Sequence, residues 1–245
     1  MIEAVALPGV PVVRPGDDLV GLLAAAAARA GGLERTDVLC VAHKVVSKAE
    51  GRVVRLDDVT PGAQAREWGA AWDRDARQIQ VVLDEAAEVV RADGPGRLIC
   101  RTRHGFVCAN AGVDRSNAGG EDVVVLLPVD PDDSARRLRA GLGCAVVVTD
   151  SFGRPWRVGQ SEIAVGCAGF MPVDDWRGRP DRDGRELSAT IIATADQAAA
   201  AADLARGKDR GEPAVRLRGL QASVIGEDGP GAVALVRSLE HDLFR

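Results

Sequence analysis

The sequence predicts an α+β fold. β-branched apolar runs such as residues 37–42 and 144–149 read as buried strands, alanine- and leucine-rich stretches read as helices, and the two are interspersed without the regular strand–helix alternation of a doubly wound sheet. Neither a G-x-x-x-x-G-K-[ST] loop nor a G-x-G-x-x-G turn occurs, so any nucleotide has to be held outside the P-loop and Rossmann frameworks. With 245 residues the chain can bury a substantial core, as one large domain or two interlocked lobes.

Taken in order, residues 2–7 form the first expected strand. Pro8, Pro11 and Pro15 then force an extended loop, because each fixes its own backbone angle and removes a donor. Asp17 or Asp18 caps a helix that runs to about Ala30 and ends at Gly31-Gly32. The strand at residues 37–42 feeds the polar segment from His43 to Arg52. From Pro61 to about Ala92, apolar positions recur at helical spacing, which predicts one or two helices; Trp68 and Trp72, one turn apart, belong in a core or interface. Short strands are expected at residues 98–102, 105–109 and 123–127, with His104 as a structural residue between the first two. Pro131 opens a basic helix that leads to the strand ending at Asp150. Residues 174–184 read as a polar loop and residues 186–204 as a long alanine-rich helix.

Composition narrows the partners. A formal net charge of −5 provides no footprint for nucleic acid, so an anionic substrate needs local cations or a metal. No apolar run is long enough to cross a bilayer, and Met1-Ile-Glu-Ala-Val lacks the basic start of a signal peptide; the expectation is a cytoplasmic protein with no membrane partner. Cys40, Cys100, Cys108, Cys144 and Cys167 are odd in number and form no C-x-x-C pair, which favours buried reduced thiols over a zinc site. With no tyrosine, Trp68, Trp72, Trp156 and Trp176 are the main candidates for stacking on a ring.

Two stretches concentrate the chemistry. In His104–Asn117 an apolar run breaks at Gly112 and offers Asp114, Arg115, Ser116 and Asn117 within four residues. In Cys144–Gln160 a β-branched run ends in Thr149-Asp150-Ser151 and passes into a loop rich in glycine and arginine. An aspartate after a strand is commonly a turn former or cap, but two such ends together suit a hard divalent ion, which takes carboxylate and hydroxyl oxygens along with substrate phosphates. Arg115, Arg154 and Arg157 offer forked donors for phosphate or carboxylate.

The phrases ANAGVDRSN and VVVTDSFGRPWRVGQ, with RPGDDL at residues 14–19 and KVVSKAEGR at residues 44–52, resemble the F420-0 gamma-glutamyl ligase family, from about Leu7 to Leu220. The resemblance implies a single ligase-like domain over residues 1–245, built as two intertwined α+β subdomains and usually a homodimer. It also implies GTP with Mg2+ or Mn2+, and K+, as cofactors. The substrates would be L-glutamate and the deazaflavin coenzyme F420-0, joined through an acyl phosphate. By the same resemblance, Asp114 and Asp150 are catalytic and hold a first divalent ion, while Ser151 helps to hold a second in place of the usual threonine. Val10, Pro11, Val12, Val13, His43, Lys48 and Asn117 contact the nucleotide. Residues 213–220 resemble the closing strand. His43 departs from the small hydroxyl residue of relatives, Glu162 carries the usual acid on a longer arm, and Asp196-Gln197 replaces Asp-Glu. Two other readings share these residues: an amide ligase or phosphotransferase with another acceptor, and a GTP-binding regulatory protein without turnover.

Overall fold

The computed structural model describes residues 1–94 and 97–243. Its centre is a five-stranded sheet in the order β1 (Glu3–Ala6), β12 (Ala214–Arg218), β2 (Val38–Ala42), β8 (Ala145–Arg154) and β9 (Arg157–Ala168). β2 and β8 run parallel, while the other neighbours are antiparallel. Both faces of the middle strands are apolar because both are covered. On one face Leu39, Val41, Val146 and Val148 share a core with Leu23 of α1 (Leu19–Arg29) and Leu138 of α5 (Pro131–Leu142). On the other, Val38, Cys40, Ala145 and Val147 meet α6 (Thr194–Ala205) through Ala195, Ala198 and Ala202, whose small side chains allow the helix close to the sheet.

The helix ends follow local chemistry. Asp18 caps α1 by accepting from the Gly21 amide at 3.0 Å. Asp130 caps α5 by accepting from Asp133 at 2.9 Å, Pro131 fills the first turn where no amide is needed, and Gly143 ends the helix at φ 74°. Within that first turn Asp132 is buried and ties three segments together: its Oδ1 accepts from the amides of Cys167 at 2.8 Å and Ala232 at 2.6 Å, and its Oδ2 from Val233 at 3.2 Å. α5 also lies so close to β9 that a Cβ on Gly166 would come within 2.2 Å of the Pro131 carbonyl oxygen.

Between β2 and α5 the chain builds a second core. α2 (His43–Ala49) leads to β3 (Val53–Arg55), which pairs with β7 (Val123–Val125). Between them lie α3 (Ala63–Trp72), α4 (Ala76–Glu85) and a three-stranded sheet of β4 (Ala86–Asp93), β5 (Arg97–Thr102) and β6 (Val107–Ala109). Ile79, Val82, Leu98 and Val124 fill this core, and Trp68 and Trp72 stack 4.9 Å apart against it. All five cysteines are buried and free.

Three expectations are corrected. Residues 86–92 are a strand, not helix: Val89 and Val90 are β-branched, and pairing with β5 outweighs the helical spacing inherited from α4. α6 starts at Thr194 instead of 186, because Ile191 and Ile192 form β11 (Ile191–Ile192) against β10 (Asp174–Asp175). β8 does not stop at Asp150 but continues to Arg154 as one arm of a hairpin.

Asp132→Ala leaves at least two buried amides without an acceptor, at about 1–3 kcal/mol each. Urea denaturation should therefore show a loss of about 2–5 kcal/mol, with Asp132→Asn, which keeps one acceptor oxygen, in between. A loss below about 0.5 kcal/mol for the alanine variant would show that these amides find other partners.

Candidate active site

The site is set by the register of the parallel pair. Ala42 pairs with Thr149, so the residues that follow, His43 and Asp150, emerge side by side at the same edge of the sheet. α2 begins there without a side-chain cap. The buried His43 ring places Nε2 3.3 Å from Asp150 Oδ1, close enough for an ion pair but off the line of a hydrogen bond, while Nδ1 lies 3.3 Å from Ser47 Oγ. Beyond Thr149, β8 and β9 leave the main sheet as a two-stranded arm whose register shifts: Val148 faces Gly166, but Thr149 faces Ala164. The extra residue, Val165, turns the arm and sets Ser151 opposite Glu162.

A cavity of about 450 Å³ opens at this edge. Val10, Pro11, Val12 and Val13 form one wall of it; His43, Lys48, Asn117, Asp150 and Ser151 also line it. Nine of the ten candidates thus share one cavity. Asp114 is not among the lining residues and reaches it through Lys44, which does line it and whose Nζ sits 2.7 Å from Asp114 Oδ2 and 2.6 Å from Ser116 Oγ. The Asp114 backbone exchanges two hydrogen bonds with Val125, at 2.9 and 2.8 Å, which fixes the start of the polar loop. Lys48 closes the loop by donating to the Asn117 carbonyl; Asn117 itself adopts φ 55°, a conformation asparagine tolerates.

Charge is distributed to keep the acids ionised. Burial alone would raise the Asp114 carboxyl, but hydrogen bonding and charge from Lys44, with the Ser116 amide and hydroxyl, hold it below its ordinary range. Glu162 behaves alike: its burial is outweighed by hydrogen bonds from Ser151 and Thr149 and by the charges of Arg206 and Lys208. Lys48 is shifted down, first by burial and then by neighbouring Lys44.

Arg206 and Glu212 are cavity residues that sequence reasoning missed. The Arg206 side chain is 8% exposed; Nη1 lies 3.4 Å from Glu162 Oε2 and from Thr149 Oγ1, while Nε and Nη2 have no hydrogen-bond partner among the described residues. Glu212 has a buried Oε2 with no hydrogen-bond partner among the described residues. The available signal was the cluster of charges and glycines from residue 203 to 212, directly after the alanine run at residues 198–202.

Other candidates lie apart. Arg115 donates to the Glu121 carbonyl at 2.7 Å and Arg154 to that of Val158 at 2.9 Å, each within its own loop. Arg154, Asp196 and Gln197 line a neighbouring cavity, where the half-buried Asp196 carboxyl, its pKa raised by desolvation, accepts from the Ala164 amide at 2.9 Å. Arg157 lines neither. His104 is structural, with Nε2 3.0 and 3.1 Å from the carbonyls of Pro128 and Val129.

The donor set suits a hard divalent ion. Asp150 Oδ1 accepts from the Ser151 amide at 2.8 Å, while Oδ2 has no partner among the described residues. No group of three His, Cys, Asp or Glu converges among those residues. One or two carboxylates beside a phosphate-sized space are what Mg2+ or Mn2+ uses when it keeps part of its water and takes phosphate oxygens. The described helices include none long and apolar enough to cross a membrane.

Residues 9–219 match the family model described as F420-0:Gamma-glutamyl ligase. The chain is 45% identical over 241 residues to the coenzyme F420:L-glutamate ligase of Methanopyrus kandleri, covering 95% of this chain and 93% of that one. It is 43% identical to the enzyme of the same name from Halobacterium salinarum, covering 100% and 96%, and 38% identical to that of Methanothermobacter thermautotrophicus, covering 100% and 99%. The likeness spans both cores and every wall of the cavity, and the chain belongs to the F420-0:gamma-glutamyl ligase family.

Proposed function

We propose that the protein joins the amine of L-glutamate to the carboxylate of coenzyme F420-0, using GTP and Mg2+ or Mn2+ and passing through an acyl phosphate. The observation that carries this reading is the convergence of nine of the ten residues that the family resemblance singles out on one cavity at the parallel strand ends, in a chain of this family. A carboxylate is a poor acyl donor because oxide would have to leave. Phosphorylation makes phosphate the leaving group, and the glutamate nitrogen then attacks the carbonyl carbon.

In this reading the protein positions the reactants and balances charge. The wall from Val10 to Val13, His43 and Asn117 hold the nucleotide, with Lys48 donating to it. Asp114 and Asp150 would hold the divalent ion, which when bound offsets phosphate charge and orients the transferred group. Asp150 offers Oδ2, which has no partner among the described residues, while the Ser151 amide holds the opposite oxygen and His43 lies 3.3 Å from it. Lys44 neutralises Asp114 when no ion is present. Because Asp114 titrates below its ordinary range, it is ionised throughout the neutral region and is ready to bind a cation. Assembly as a homodimer belongs to the same proposal.

The deciding experiment follows GTP consumption with F420-0, L-glutamate and Mg2+, omitting each in turn, with ¹⁸O in the acceptor carboxylate. Expected are dependence on all four components, little turnover with ATP, and ¹⁸O in the released phosphate. Turnover in excess chelator, or phosphate free of the label, would refute the metal or the acyl-phosphate part respectively.

If Asp114 and Asp150 share one ion, each single Asp→Asn change should lower turnover by about a hundredfold or more, and the double change should add little beyond the worse single. Thermal unfolding without metal should be nearly unchanged. Losses that multiply would show that the two aspartates act separately.

A further inference from the structure

The family resemblance assigns Ser151 to a second divalent ion, but the surroundings of its hydroxyl describe a different cation. Ser151 Oγ donates to Glu162 Oε1 and accepts from Lys208 Nζ at 3.0 Å. The same ammonium lies 3.4 Å from Glu162 Oε1 and 3.4 Å from Asp203 Oδ1. Glu162 is 3% exposed and already engaged on both oxygens: Ser151 and Lys208 approach Oε1, Arg206 approaches Oε2 at 3.4 Å, and the Thr149 hydroxyl adds a fourth donor.

A carboxylate has about four lone-pair positions, so four donors use its capacity. A hard divalent ion needs oxygens that are not committed to protein donors. It would also have to enter beside a buried guanidinium and displace an ammonium, in a cluster where Arg206 and Lys208 already balance Glu162 and Asp203. One residue earlier on the strand, Asp150 presents the contrasting case: it lines the cavity, and its Oδ2 has no partner among the described residues. The two neighbouring positions therefore differ in kind: one lacks a cation and the other contains one.

We propose that the Lys208 ammonium is a built-in cation at the Ser151–Glu162 position, so that the protein binds one divalent ion per chain with its nucleotide instead of two. A lysine ammonium is a compact point charge with three donors, able to hold Ser151, Glu162 and a phosphate oxygen together. The Lys208 side chain is 67% exposed, which leaves its ammonium room to follow the phosphate as the charge on the transferred group shifts. This inference rests on the metal-dependent reading above.

The test counts bound Mn2+ by electron paramagnetic resonance, in the full chain with a non-hydrolysable GTP analogue. The unaltered protein should bind one ion per chain with an uncoupled spectrum. Lys208→Glu should bind two, with dipolar broadening between them. Lys208→Gln removes the ammonium without adding a charge; it should gain a weaker second ion, and it decides the matter if the glutamate variant does not fold. Two ions in the unaltered protein, or a single ion in both variants, would overturn the inference while leaving the metal-dependent function intact. No nucleotide-dependent manganese in any of the three proteins would remove that function and this inference together.

Discussion

The structure depends on one pairing, the parallel register of β2 and β8. Parallel strands send their carboxyl ends to the same edge of a sheet, and here both ends deliver polar residues in step: Ala42 opposite Thr149, then His43 beside Asp150. The middle strands are apolar on both faces, so a slip by one residue would exchange the core facing α1 and α5 with the core facing α6. Burial on both faces thus fixes the register, and the register fixes the site. The shift at Val165 then adjusts one position locally, opposing Ser151 to Glu162 without disturbing the strands behind it.

The second core reaches this edge by electrostatics instead of strand pairing. Its polar loop is anchored at Asp114 by two backbone bonds to Val125 and meets α2 through Lys44 on Asp114 and Lys48 on the Asn117 carbonyl. α2 therefore carries residues toward both halves of the site: His43 toward Asp150 and Lys44 toward Asp114. Such surface-accessible ion pairs contribute little to stability. Their value is that the contact can be exchanged, since an ammonium that neutralises a carboxylate in one state can turn to a phosphate in another.

The cavity balances its own charge in a protein of net charge −5. Lys44, Lys48, Arg206 and Lys208 gather around Asp150, Glu162 and Glu212. Arg206 and Lys208, with the Ser151 and Thr149 hydrogen bonds, hold Glu162 ionised against its burial, while burial and Lys44 make Lys48 a weaker base than an exposed lysine. A site built this way offers cations at short range in place of a long-range field.

The sequence by itself determined the class of fold, most of the strands, the helix starts at Asp18 and Pro131, and the two polar stretches that carry the aspartates. Those features are local: β-branched runs, capping aspartates and glycine ends act over a few residues. It also signalled nine of the residues that share the cavity, through phrases long enough to identify a family. Tertiary structure decided the rest. Strand pairing overrode helical spacing at residues 86–92, and the β10–β11 pair shortened α6. Arg206 and Glu212 became cavity residues because the turn after α6 folds back against β2 and β8, contacts between distant parts of the chain that no local pattern records. Whether Ser151 faces a metal or an ammonium is a question of the same kind: its hydroxyl has the same chemistry in either case, and the fold alone brings Lys208 to within 3.0 Å of it.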